Sequence, residues 1–191
     1  MVYLLYDLIL LLAALILIPY YYYYFRGVRY RSFRHGIKER LGFFAPGQFD
    51  CLAGKQVFWI HVVSVGETRA VLPLVKALKK AYPEVALIIS NVTETGHEIA
   101  SQVAEVNCCL FFPYDFSLVV RRVLRQVNPS LIIIVETEIW PNFVRLARDR
   151  KIPVILVNGR ISDRSYPRYQ WIKRFIRPIL RQFSFFCMQT V

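Results

Sequence analysis

Val57-Phe58-Trp59-Ile60-His61-Val62-Val63, followed at once by Ser64-Val65-Gly66-Glu67-Thr68, decides the fold. The first run lacks polar alternation, which describes a strand buried on both faces, and a helical pattern over 68–81 follows it. The unit then recurs. Apolar runs at 85–90, 108–113, 131–135, 154–157 and 185–189 alternate with helical patterns over 95–106, 116–126, 141–149 and 166–183. Short β-branched runs between helices of this length predict an α/β domain, a doubly wound parallel sheet with helices on both faces. In such sheets ligands bind outside the carboxyl ends of the strands. The turns after each strand are therefore the place to look for chemistry.

Those turns are unusually polar. They read Ser64-Val65-Gly66-Glu67-Thr68 after the first strand and Asn91-Val92-Thr93-Glu94-Thr95-Gly96 after the second. Glu136-Thr137-Glu138-Ile139-Trp140-Pro141-Asn142 follows the fourth, and Asn158-Gly159-Arg160-Ile161-Ser162-Asp163-Arg164-Ser165 the fifth. Glu67 opens a helix behind a glycine, where the helix dipole favours the ionised form that a general base needs. Glu136, a second carboxylate nearby, is expected to push the titration of the pair upward. Glu67 and Glu138 also suit a plainer role as first-turn residues favoured by the dipole. Arg160 and Arg164 match a phosphate or carboxylate bidentately, or belong to a solvated loop. Thr93, Thr95 and Gly96 could cradle an anion at a helix N-terminus or simply cap it.

His61, inside the first strand, reads as a packed core residue, and His97 as a site candidate in the first turn after Gly96. The three histidines have no metal-ligand spacing. Neither a dinucleotide nor a P-loop glycine pattern is present, so neither nucleotide site is supported.

Residues 1–25 are nearly unbroken apolar sequence ending in a tyrosine run, 20–24, and Arg26, Arg29, Arg31, Arg34, Lys38 and Arg40 come directly after. About 20 apolar residues suffice to cross a bilayer, tyrosines favour its interface, and Lys/Arg excess marks the cytoplasmic side. A cleaved signal peptide would carry its basic residues before the apolar core. A buried core helix interrupted by Asp7 is the competing reading. The expected division is 1–25 membrane anchor, spanning or in the interface plane, 26–54 basic juxtamembrane segment and loop, and 55–191 a Rossmann-like domain.

With 25 Lys and Arg against 13 Asp and Glu, the 191-residue chain carries +12, a balance that suits an anionic partner. The anchor points that charge to the anionic inner leaflet. Nucleic acid is not expected, since no zinc-finger spacing or RNA-binding aromatic motif occurs. The four cysteines form no C-x-x-C pair, and Cys108, Cys109 and Cys187 are expected as small buried hydrophobes in a reducing cytoplasm. The 166–183 helix places Trp171, Phe175, Ile176, Ile179, Leu180 and Phe183 on one side and Lys173, Arg174, Arg177 and Arg181 on the other, with a kink expected at Pro178. It either covers the sheet or touches anionic lipid.

Taken in order, the anchor, His61 with Ser64-Val65-Gly66-Glu67, Thr93-Glu94-Thr95-Gly96, Pro113-Tyr114-Asp115, the 136–142 run and the 160–165 run resemble the 3-deoxy-D-manno-octulosonic acid (Kdo) transferases of lipopolysaccharide synthesis. The 136–142 run is the most specific of these. The second motif is less hydroxyl-rich than usual for the family, and Gly159 stands where alanine is common. The resemblance implies the N-terminal, acceptor-binding half of an inverting GT-B glycosyltransferase, anchored at the bacterial inner membrane with its domain in the cytoplasm. It implies CMP-Kdo as donor, held mainly by a C-terminal half not included here, and a lipid A precursor (lipid IVA) as acceptor. No cofactor or metal is implied. Glu67 would be the base and Glu136 the second carboxylate, steadying an oxocarbenium-like transition state. Ser64, Gly66, Thr93, Thr95, Gly96 and Glu138 would line the substrate site; that Arg160 and Arg164 meet acceptor phosphates is an extension from their chemistry and not a family assignment. This half alone is expected to be inactive. The competing expectations are a non-catalytic, membrane-tethered module binding anionic lipid or a partner protein, and a glycolipid enzyme with another donor.

Overall fold

The computed structural model describes residues 2–24, 36–160, 170, 171 and 173–189. Its centre is a six-stranded, wholly parallel sheet. The strands are β1 (Val57–Val62), β2 (Ala86–Asn91), β3 (Cys108–Phe111), β4 (Leu131–Val135), β5 (Val154–Gly159) and β6 (Phe185–Met188), in the order β3-β2-β1-β4-β5-β6. The order reverses between β1 and β4, which pair with His61 opposite Ile134. That junction is the topological switch point of the sheet.

The helices are α1 (Val2–Tyr24), α2 (Ile37–Arg40), α3 (Val65–Ala81), α4 (Glu94–Ser101), α5 (Ser117–Val127), α6 (Pro141–Asp149) and α7 (Lys173–Leu180). Side chains along a strand alternate between faces, and the core divides accordingly. Trp59, Ile132 and Ile134 join Val120, Leu124, Phe143 and Val144 of α5 and α6. Ile60, Val62, Ile133 and Val135 join Val71 and Val75 of α3 and Ala100 of α4. Trp59 and Phe143 meet edge to face at 5.0 Å between centroids. Both are fully buried, as a sheet covered on both faces requires.

Most elements shift by a residue or two, and the larger departures from the sequence expectation lie at three helix boundaries, at the cysteines and at Trp171. Cys108 and Cys109 are half-buried, and Trp171 is exposed because α7 turns only Ile179 fully into the core. Helix α3 starts at Val65 rather than 68, because Ser64 caps it. Helix α4 stops at Ser101, yet Val103 and Val106 beyond it still pack on the second core, so their spacing of three residues imitates a further helical turn. Helix α7 runs two residues past Pro178 and stops. Cys187 is exposed, not buried, because all four residues of the edge strand β6 are exposed.

Residues 36–54 pack against the domain. Glu39 Oε2 accepts from the Phe111 N–H at 3.2 Å, Tyr114 N–H donates to the Arg40 carbonyl at 2.9 Å, and Leu52 is buried in the first core. The arginines at 26, 29, 31 and 34 lie outside the described residues. Helix α1 has a mean hydropathy of 2.1 over Tyr3–Tyr20, none of it buried, and is long and apolar enough to cross a membrane.

Candidate functional site

The switch point brings the turns after β1 and β4 side by side. Ser64 is the N-cap of α3 and Glu67 its third residue, the spacing of a capping box. Ser64 Oγ accepts from the Glu67 N–H at 3.3 Å and donates to Glu67 Oε1 at 2.8 Å. The Val63 N–H donates to Glu67 Oε2 at 2.7 Å. Both carboxylate oxygens are thus held at the positive end of the helix.

The turn after β2 is knitted to the same place. Thr93 caps α4, its Oγ1 accepting from Gly96 N–H at 3.2 Å and donating to the Val63 carbonyl at 3.1 Å. Buried Thr68 accepts from Asn91 Nδ2 at 2.9 Å and donates to the Ser64 carbonyl at 2.8 Å. A Cβ on Gly96 would lie 2.8 Å from Thr93 Oγ1 and 2.9 Å from Asn91 Nδ2. Close packing therefore requires glycine there. Gly66 and Thr95 are exposed.

Across the junction, Glu136 adopts a left-handed φ of 63° and is exposed. A non-glycine residue in that region stores on the order of 1 kcal/mol of strain, a feature concentrated at functional turns. Thr137 Oγ1 donates to the Arg160 carbonyl at 2.7 Å and so ties this turn to the end of β5. Arg160 is exposed, and Arg164 lies outside the described residues. Glu138 is half-buried, in a cavity of about 300 Å³ walled by Trp140 of the same turn and by Phe175, Ile176 and Ile179 of α7. Burial first, then the charges of Glu67 and Glu136, push its carboxyl above the usual carboxylate range. The sequence had Glu136 as the carboxylate coupled to Glu67. The structure puts Glu138 within electrostatic reach of both.

His61 is fully buried, stacked on Phe112 at 3.7 Å with Nδ1 3.0 Å from Ser90 Oγ. Burial pulls its imidazole down to about 3, so it stays neutral and packs. His97 stacks on Phe111 at 4.3 Å. Among the described residues no group of three His, Cys, Asp or Glu is arranged to hold a metal ion.

Sequence reasoning gave no role to the buried polar knot beneath the 136–142 turn. The N-cap of helix α6 is Trp140, which offers no side-chain hydrogen bond. Asp115, from the loop after β3, supplies one: its carboxylate accepts from Asn142 N–H at 3.0 Å and Phe143 N–H at 2.8 Å. The Asn142 side-chain amide donates to the Asp115 carbonyl at 2.6 Å and to Asp7 Oδ1 of α1 at 2.7 Å. Arg145 Nη2 donates to Asn142 Oδ1 at 3.2 Å and to Ser117 Oγ at 3.0 Å. Burial raises the Asp115 carboxyl to about 7, against the lowering effect of the two N–H donors and Tyr6. The available signal was a helix opening on Trp140-Pro141 with no capping residue, which obliges a distant acceptor.

Comparison with known proteins fits this architecture. Two solved structures share the fold: MurG of Acinetobacter baumannii, 10% identical with a TM-score of 0.51 over 72% of this chain and 42% of that one, and a putative UDP-N-acetylglucosamine 2-epimerase of Listeria monocytogenes, 12% identical with a TM-score of 0.50 over 70% and 38%. Among curated relatives, a bifunctional glycosyltransferase/methyltransferase of Fusobacterium nucleatum is 33% identical over 86% of this chain and 27% of its own length. The 3-deoxy-D-manno-octulosonic acid transferases of Chlamydophila psittaci and Haemophilus influenzae are 32% and 33% identical, each over 85% of this chain and 38% of their own length. The chain therefore spans well under half of the relatives it matches. The family profile described as 3-deoxy-D-manno-octulosonic-acid transferase (kdotransferase) matches residues 35–191, and the chain belongs to that family.

Proposed function

We propose that this chain is the acceptor-side half of an inverting Kdo transferase, which moves Kdo from CMP-Kdo to a lipid A precursor (lipid IVA) at the cytoplasmic face of the bacterial inner membrane. The observation that carries the reading is the Glu67 carboxylate, held at the switch point by Ser64 and Val63 beside the half-buried Glu138. In this mechanism Glu67 takes the proton from the acceptor hydroxyl. The freed oxygen bonds to the anomeric carbon of Kdo while that carbon's bond to the CMP phosphate breaks. CMP departs with the bonding electrons, opposite the attacking oxygen. Each carboxylate oxygen has a second lone pair, so its capping bonds leave Glu67 able to meet that hydroxyl. Glu136 steadies positive charge on the sugar, and Arg160 and Arg164 meet acceptor phosphates. The donor is held by a second domain outside these 191 residues.

The test is Glu67→Gln in the full-length protein. It should lower turnover on the order of 10²- to 10⁴-fold, the usual worth of a general base, with an unchanged circular dichroism spectrum. Near-normal turnover would sink the assignment. Because both Glu67 oxygens already serve the helix start, that result would leave Glu67 as a cap only and pass the proton to another acceptor. Absence of transfer by the unmutated full-length protein would instead favour a tethered lipid-binding module.

A further inference from the structure

Among the described residues, helix α1 meets the domain through its first two turns. Tyr3 Oη accepts from Gln182 Nε2 at 2.6 Å, and the Arg145 guanidinium lies 4.6 Å above the Tyr3 ring. Tyr6 faces Phe175 of α7 at 6.4 Å. Asp7 Oδ1 accepts from Asn142 Nδ2 at 2.7 Å and Ser117 N–H at 3.1 Å. Beyond these first two turns Leu11, Leu12 and the aliphatic residues from Leu15 to Ile18 are exposed, Ile16 at 69%. The other end, Tyr24, is joined to Gly36 on the domain by residues 25–35, which carry Arg26, Arg29, Arg31 and Arg34.

Suppose α1 crossed the bilayer with these contacts kept. Its first turn would lie on the domain's side and Tyr24 on the far side. Residues 25–35 would then have to recross a hydrocarbon core of about 30 Å. At about 3.3–3.6 Å per residue they reach that far only when nearly fully extended, with unpaired backbone and four arginines in lipid. Neither is tolerated there. Both ends of α1 therefore belong on the domain's side of the membrane.

We propose that α1 is an in-plane anchor lying in one leaflet of an anionic bilayer, locked to the domain by the Asp7–Asn142 hydrogen bond. This rests on the membrane-bound reading given above. In-plane helices ordinarily carry a polar face. Here the domain supplies it, by half-burying Tyr3, Tyr6 and Asp7, while exposed Tyr20 and Tyr23 suit the interface at the other end. Trp171, 94% exposed, precedes the exposed cations Lys173 and Arg174 on the segment that meets Tyr6 through Phe175. An interfacial aromatic and positive charge thus flank the anchor, as anionic head groups require. Asn142 opens the helix after the Glu136–Glu138 turn, so the lock also fixes the height of the site above the lipid.

The test places a short, protease-cleavable hydrophilic tag ahead of Met1 in the full-length protein. Cleavage is compared in right-side-out and inside-out inner-membrane vesicles. The tag should be cut in inside-out vesicles and protected in right-side-out ones. Cutting of the tag in right-side-out vesicles would show a spanning helix and overturn the proposal. A protein that fails to sediment with vesicles would instead overturn the membrane-bound reading. Asp7→Leu removes the lock, leaving a uniformly apolar helix ahead of its arginines, so cutting in right-side-out vesicles should rise from background to a major fraction. Asp7→Asn, which keeps an acceptor for Asn142, should stay protected. Unchanged protection in Asp7→Leu would overturn the lock.

Discussion

Ser64 and Glu67 hold each other: the serine oxygen takes the glutamate N–H at 3.3 Å and returns its own proton to the carboxylate at 2.8 Å. The residue with the strongest claim to catalysis is therefore also part of the helix start, and stability and activity are joined at one side chain. Ser64→Ala should cost about 1 kcal/mol of stability, the usual worth of an N-cap. It should also lower turnover roughly tenfold by releasing the carboxylate, the order expected when a positioned group loses its orienting bond. Thermal melts and steady-state rates of the full-length variant check the two effects separately.

Gly96→Ala should destabilise the domain by about 1–3 kcal/mol, the range for overpacking a tight site. The new methyl would sit within 3 Å of Thr93 Oγ1 and Asn91 Nδ2. Gly66→Ala, with only Ser64 Oγ near its added Cβ, at 3.8 Å, should melt like the parent or slightly above it. Equal melting losses in the two variants would contradict the packing role given to Gly96.

The buried Asp115 carboxyl predicts a pH dependence of unusual sign. Its folded value, about 7, lies above its ordinary value of 3.8, so between those limits the folded state binds the extra proton. Stability from this group is then fully present below about pH 4 and declines as pH rises through 7. Asp115→Asn should flatten that slope, read as the difference between variant and parent unfolding curves from pH 4 to 8. A variant curve parallel to the parent's would mean that Asp115 does not titrate there.

Glu138 should report its neighbours. Its carboxyl is raised by burial, then by Glu67, then by Glu136. Removing one like charge with Glu67→Gln should lower its titration toward the ordinary carboxylate range, and Glu136→Gln should lower it less. Infrared difference spectra across pH, with Glu138→Gln as the assignment control, would resolve the shift. An unmoved titration in Glu67→Gln would place the two carboxylates outside electrostatic contact.

Most of the sheet was legible because residues such as those at 131–135 form unbroken β-branched runs that only a doubly covered strand accommodates. The start of α3 was legible too, since Ser64-x-x-Glu67 writes a capping box in four residues. Legibility failed where one residue's role depends on a distant one. Asp115 looks like an ordinary loop acid until Asn142 and Phe143 turn their N–H groups on it. Asp7 looks like a flaw in an apolar run until Asn142 meets it. Glu136 and Glu138 are separated by one residue, and only the left-handed turn at Glu136 makes one exposed and the other half-buried. Cys187 followed the apolar character of β6, and pattern alone does not show that a strand lies at an edge.

The pairing of β1 with β4 has a consequence for how the chain is made. β2, the other neighbour of β1, leaves the ribosome soon after it, while β4 comes only after two further helices and β3. Pairings between distant segments form late, because closing the intervening loop costs entropy before any contact compensates. A nascent chain that has reached β3 can therefore hold β1, β2 and β3 in register with Glu67 already capped, yet have nothing opposite it. The carboxylates meet only when β4 docks into the gap beside β1, so the chemistry of this edge arises in a single late step of folding.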